Sequence, residues 1–208
     1  MPAKRNTETG RSLKERLLSL VERRGIVRSR EAEAQGIPRA YLSRLVSQGE
    51  LARIGRGLYA LPGLEITEHH ALVEVAKRVP KAVVCLLSAL RFHELTTEAP
   101  HEVWIAIGRK DRAPQLDYPP VRVTWSSEKL LTIGIERHAI EGVEIKVTSP
   151  ARTVADCFKF RNAIGSNVAA EALRDFLRDH GKQRSELWEM AKACRVTSVI
   201  RPYLEALG

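Results

Sequence analysis

Residues 38–61 read PRAYLSRLVSQGELARIGRGLYAL, and this stretch decides the fold. Pro38 suits the first position of a helix, because it has no backbone N–H to leave unsatisfied. The helix it predicts runs to about Gln48 and stops at Gly49. Tyr41, Leu42, Leu45 and Val46 share one face, and Arg39, Ala40, Ser43, Arg44 and Ser47 share the other. That outer face has two arginines, two hydroxyls and no acid, where a solvated face usually mixes in Glu or Asp. Short side chains allow close approach, and arginine forks match guanine edges or phosphates, so the face suits a major groove. Leu51–Ile54 and Leu58–Leu61 then read as short strands around a Gly55-Arg56-Gly57 turn, a hairpin with Arg56 at its tip and Arg53 just before it.

Upstream, Leu13, Leu17, Leu20 and Val21 recur at helical spacing, with Ser12 as N-cap and Gly25 as the stop. Ile26-Val27 predicts a short strand. Ser29 is expected to cap a second helix, Arg30–Gln35, stopped by Gly36, with Ile37 plugging the turn. Three helices followed by a basic hairpin make a winged helix-turn-helix over residues 1–62. Its candidate DNA contacts are Arg28, Arg30, Arg39, Ser43, Arg44, Ser47, Arg53 and Arg56. The same small pattern also fits a protein-docking module.

The charge is uneven in the same sense. Of 34 Lys+Arg and 25 Asp+Glu in 208 residues, residues 1–62 hold 13 and 6. That segment therefore carries +7 of the +9 net charge. A basic end of this kind points to a polyanion, most often nucleic acid, against the plainer reading of a solvated surface. With 44% hydrophobic and 28% charged residues, the composition argues against a disordered chain. The run Ala82–Leu90 is too short to span a membrane, and the basic N-terminus lacks the apolar stretch of a signal peptide. Cys85, Cys157 and Cys194 have no close spacing, which fits reduced thiols and a cytoplasmic location.

Pro62-Gly63 marks a boundary, so residues 63–65 read as a linker and 66–208 as a second domain. Helices are expected over Thr67–Arg78 and Ser88–Leu95. Strands are expected over Val83–Leu86, Glu102–Ile107, Val121–Trp125, Ile135–Ile140 and Val143–Val147, the last two joined by a Glu141-Gly142 turn. Helical pattern follows over Pro150–Phe160, Ser166–His180, Ser185–Ala193 and Val199–Ala206. The fold class is therefore mixed α/β (α+β): a winged helix, then a small-sheet domain with C-terminal helices.

The wing Ile54-Gly55-Arg56-Gly57-Leu58-Tyr59 resembles that of the AbiEi family, antitoxins of bacterial type IV toxin–antitoxin systems. So do the stretches Ser88–His93, Glu102–Ala106, Thr148–Asp156 and Arg201–Glu205, in order along nearly the whole chain. The resemblance implies a winged-helix autorepressor that binds inverted repeats in its own promoter. It also implies a C-terminal domain that counters a nucleotidyltransferase toxin encoded beside it, with direct binding of the toxin left open. In that setting the protein would belong to a phage-defence operon.

No enzyme is expected. His69 and His70 point about 100° apart on a helix and make a poor metal pair, and no glycine-rich phosphate loop is present. The expectation is no metal and no cofactor. Glu144-Ile145-Lys146, with Asp117 recruited, is the one pattern that suits a metal-dependent nuclease, but Glu-x-Lys is equally ordinary on an exposed strand. Arg152 and Asp156 read as an i,i+4 ion pair. Alternatively, Arg152, Lys159 and Arg161 form a basic face for phosphate or an acidic partner. A repressor without any toxin partner is the other reading from the binding class.

Overall fold

The computed structural model describes the backbone of residues 5–207 and side chains from Leu13 onward. The chain forms two compact units, one running up to Arg78 and taking in Ala139–Glu144, the other holding Val79–His138 and the residues from Ile145 on.

The first unit opens with α1 (Arg5–Arg24), β1 (Ile26–Arg28), α2 (Ser29–Ala34) and α3 (Arg39–Ser47), followed by β2 (Ala52–Gly55) and β3 (Leu58–Ala60). Its sheet has the antiparallel order β1-β3-β2, with Ile26 opposite Ala60 and Arg53 opposite Tyr59. This is the expected winged helix-turn-helix. The periodic leucines make its core: Leu17, Leu20, Val21, Ile37, Leu42, Leu45 and Leu51 are buried, each worth about 1.5–3 kcal/mol against exposure. Two local expectations change. Helix α1 starts by Arg5, so Ser12 lies inside it; the capping side chain itself falls outside the described ones. Arg28, not Ser29, is the N-cap of α2, because the Glu31 carboxylate accepts the Arg28 N–H at 2.7 Å. The Ser29 N–H instead donates to the Gly57 carbonyl at 2.9 Å, tying the wing turn to α2. The unit continues through α4 (His70–Arg78).

A five-stranded mixed sheet of order β6-β5-β4-β8-β7 follows, and all of it but the Ala139–Glu144 hairpin end belongs to the second unit. Its strands are β4 (Val83–Val84), β5 (Val103–Gly108), β6 (Val121–Ser126), β7 (Ile135–Ile140) and β8 (Val143–Thr148). β4 runs antiparallel to β5 and parallel to β8, and β5 runs parallel to β6. The helices are α5 (Leu86–Phe92), α6 (Pro150–Lys159), α7 (Arg161–Ile164), α8 (Ser166–Asp179), α9 (Arg184–Cys194) and α10 (Thr197–Leu207). Every residue from Pro150 to Phe158 is buried, so α6 is the central post of this unit. Around it pack Trp104 and Ala106 of β5, Leu173 and Phe176 of α8, Leu187 of α9 and Ile200 of α10. The strand expected over Val83–Leu86 is shorter. Leu86 adopts a φ of +49° and turns the chain into α5 two residues early, and Ser88 Oγ then accepts the Trp104 N–H at 2.9 Å.

Candidate nucleic-acid interface

Helix α3 presents the face its periodicity predicts. Leu42 and Leu45 are buried, and Arg39, Ala40, Ser43, Arg44 and Ser47 are all exposed. The Arg44 guanidinium lies over the Tyr41 ring, 4.3 Å from its centroid, a cation–π contact that helps to hold it on the exposed face. The Ser43 hydroxyl donates to the Arg39 carbonyl at 3.5 Å and Ser47 to the Arg44 carbonyl at 2.8 Å, so both hydroxyls turn back onto their own helix. Arg39 meets an acid that the α3 sequence does not contain. Its Nε lies 2.8 Å from Glu33 Oε1 of α2, and both groups are exposed. An exposed pair of this kind holds by about 0–1 kcal/mol, so Arg39 is readily released to a phosphate or base.

The wing is short. Gly57 has a φ of +71°, a left-handed conformation that glycine adopts without strain, and Arg53 and Arg56 are exposed on either side of Gly55. Arg53 Nε donates to the Gly55 carbonyl at 3.4 Å. The wing is also held from α4, a contribution that the sequence pattern alone did not reveal. Arg78 Nη2 donates to the Arg56 carbonyl at 3.3 Å and lies 3.3 Å from Glu74 Oε2. Glu74 is buried, and a Cβ at Gly55 would overlap its carboxylate, so a larger residue there would have to displace the Glu74 side chain. His70 sits between Glu74 and Glu141; its Nδ1 is 2.6 Å from Glu141 Oε2, and Glu141 Oε1 also accepts the Thr67 N–H at 2.8 Å. The His70, Glu74, Arg78 spacing on one helix was the available signal for this latch.

Arg28 and Arg30 separate. Arg30 is exposed at the start of α2. Arg28 Nη1 donates to the carbonyls of Lys77 and Arg78, both at 3.0 Å, and so caps the end of α4. Burial, and then the Arg30 charge, lower its pKa. The exposed set is thus Arg30, Arg39, Ser43, Arg44, Ser47, Arg53 and Arg56.

In the second unit the basic face expected of α6 does not assemble. Arg152 is 2% exposed. Its Nε donates to Asp156 Oδ2 at 3.0 Å, and its Nη1 donates to the carbonyls of Leu130 at 2.9 Å and Ile133 at 2.8 Å. Its hydrogen bonds go to the interior, which takes it out of reach of any phosphate. Lys159 is exposed over the Phe160 ring, and Arg161 donates to the Phe158 carbonyl at 2.9 Å.

The residues weighed for catalysis are also dispersed. Lys146 Nζ donates to the Pro80 carbonyl at 3.3 Å, Glu144 is exposed, and Asp117 lies in the loop before β6. Among the described residues no three His, Cys, Asp or Glu side chains form a metal-sized group. The cysteines are free and buried; burial pushes the Cys85 thiol up to about 12 and raises Cys157 and Cys194 as well. His93 donates from Nε2 to the Thr148 carbonyl at 2.7 Å, and burial lowers its pKa. Among the described residues no helix is long and apolar enough to cross a membrane.

The winged helix, with an exposed acid-free α3 face and a basic wing, can be set beside known families. Residues 15–62 match the family described as a transcriptional regulator, AbiEi antitoxin. The AbiEi match spans α1 from Glu15 to the end of the wing, the part of the chain that carries the exposed α3 face. The AbiEi-like stretches from Ser88 to Glu205 lie outside the matched residues. No curated protein matches the chain.

Proposed function

We propose that the chain is the antitoxin of a bacterial type IV toxin–antitoxin system, acting in the cytoplasm. Residues 1–62 bind inverted repeats in the promoter of their own operon, and residues 66–208 neutralise a nucleotidyltransferase toxin. The acid-free outer face of α3 carries the reading, because a helix with Arg39 and Arg44 exposed beside a basic wing has the chemistry of a groove reader. We place Arg30, Arg39, Ser43, Arg44, Ser47, Arg53 and Arg56 on the duplex and leave out Arg28 and Arg152, whose N–H groups serve backbone carbonyls within their own units.

Two functions on two parts of one chain are testable by substitution. Truncation at residue 66 is the poorer tool, since it strips α4 of β1, against which it packs. The intact chain should both silence a promoter–reporter and restore growth to cells expressing the toxin. The Arg39→Ala/Arg44→Ala variant should lose the silencing and keep the rescue. A chain that silences but never rescues is a repressor without a toxin partner. A variant that loses both functions together ties neutralisation to DNA.

The wing makes a separate expectation. Arg56 sits at an exposed tip between glycines, where it can follow the phosphate backbone. Arg56→Ala should weaken promoter and random duplexes alike and lower the slope of log K against log salt by about one. An unchanged slope in a salt titration takes Arg56 off the phosphates. A loss confined to one base position makes it a base reader.

A further inference from the structure

The turn that follows β5 is locked onto itself. Asp111 N–H donates to the Gly108 carbonyl at 2.9 Å, and Asp111 Oδ2 accepts the Gly108 N–H at 3.1 Å. Arg109 and Lys110 are left on the exposed corner of that turn, with Arg112 just behind, and none of the three forms an ion pair among the described residues. Trp125 lies beside them on β6, the edge strand of the sheet, in register with Ile107. Trp125 is 51% exposed, yet its Nε1 donates to the Asp111 carbonyl at 3.3 Å. The ring is thus pinned by its polar edge to the turn that holds the cations, with much of its surface in solvent.

We propose that Trp125, Arg109, Lys110 and Arg112 form a second nucleic-acid site, specific for single strands: one base stacks on the indole, and the flanking phosphates take the cations. An exposed aromatic plate in a basic setting is what sequence-tolerant single-strand binders use, because every base has a π face. A duplex keeps its bases stacked on one another and leaves the indole unused. An acidic peptide is served by the cations alone. Positive charge next to a fixed, solvent-facing ring favours the single strand over both. The site lies wholly in the second unit, and its charges are distinct from those of the α3 face.

The test uses the full chain and fluorescein-labelled oligouridylate and oligothymidylate of about 12 nucleotides, within the usual site sizes, beside a labelled promoter duplex. Anisotropy should report binding of the single strands. Trp125→Ala should weaken it about tenfold or more, and Trp125→Phe should retain most of it. Arg109→Ala/Lys110→Ala should lower the salt slope by about 0.7 for each phosphate that the turn no longer neutralises. None of the three should change duplex binding, whereas Arg39→Ala/Arg44→Ala should weaken the duplex and spare the single strands. The tighter of the two oligonucleotides distinguishes RNA from DNA. Absence of single-strand binding by the wild type overturns the proposal, as does binding that Trp125→Ala and the turn variant leave unchanged. A fall in oligomeric mass with Trp125→Ala, without any effect on oligonucleotides, would instead make this edge an interface between copies and overturn the nucleic-acid site.

Discussion

Replacing Arg152 by alanine is expected to destabilise the second unit by about 3–5 kcal/mol, the usual cost of removing one member of a buried charge pair. The deletion does more than break the 3.0 Å pairing with Asp156. Asp156 is 5% exposed and would keep only the Cys194 thiol, which donates to its Oδ1 at 3.3 Å. The carbonyls of Leu130 and Ile133 would lose their donor as well. Arg152→Lys should recover only part of the loss, since one ammonium lacks the rigid fork that reaches a carboxylate and two carbonyls together. Arg152→Met with Asp156→Leu should recover more, because it leaves no charge unpaired. The chain offers a selective probe: Trp104, Trp125 and Trp188 all lie in the second unit, so their emission during urea unfolding reports on that unit. A loss under about 1 kcal/mol for Arg152→Ala would show that water or rearrangement solvates Asp156 and would sink the argument.

The contrast between Arg152 and the α3 arginines shows what periodicity reports. On α3 the apolar residues form one stripe, so the opposite face is defined, and every residue assigned to it is exposed. On α6 the seven-residue spacing of Arg152 and Lys159 does place them on a common face. But Pro150–Phe158 is buried all round, and such a helix has no solvent face for spacing to reveal. Sequence distance hides the remaining partners. Arg28 falls in a run of arginines that read as one basic surface, and the carbonyls it binds lie 49 and 50 positions away. Glu141 is readable as a hairpin turn, yet its bonds to Thr67 and His70 span 74 and 71 positions. The early end of β4 turns on one left-handed residue, Leu86, at a position where glycine or asparagine would have been the readable signal. Local elements, the winged helix and the outer face of α3 were therefore legible, while the α4 latch and the interior role of Arg152 depended on long-range packing.

Removing both arginines of the α3 face is expected to abolish most discrimination between the promoter and random DNA. A lost bidentate pairing with a base costs about 1–3 kcal/mol, so Arg39→Ala/Arg44→Ala should cost the promoter about 2–6 kcal/mol. Random duplex holds the protein through phosphates, and it should lose only the smaller share due to two charges. The contributions should be close to additive, because each arginine is held by a different neighbour: Glu33 for Arg39 and the Tyr41 ring for Arg44. Those neighbours separate the two roles. Glu33→Ala frees Arg39 and removes an anion from the edge of the face, so it should tighten binding to all duplexes modestly and lower discrimination little. Tyr41→Leu keeps an apolar residue beneath α3 but takes away the surface on which Arg44 rests. It should loosen promoter binding through a faster off-rate while the random duplex is nearly unaffected. Competition between labelled promoter and unlabelled random duplex at fixed salt measures the ratio directly. If the double variant keeps the wild-type ratio while both affinities fall together, Arg39 and Arg44 bind only phosphates, and the reading of sequence must lie elsewhere on the first unit.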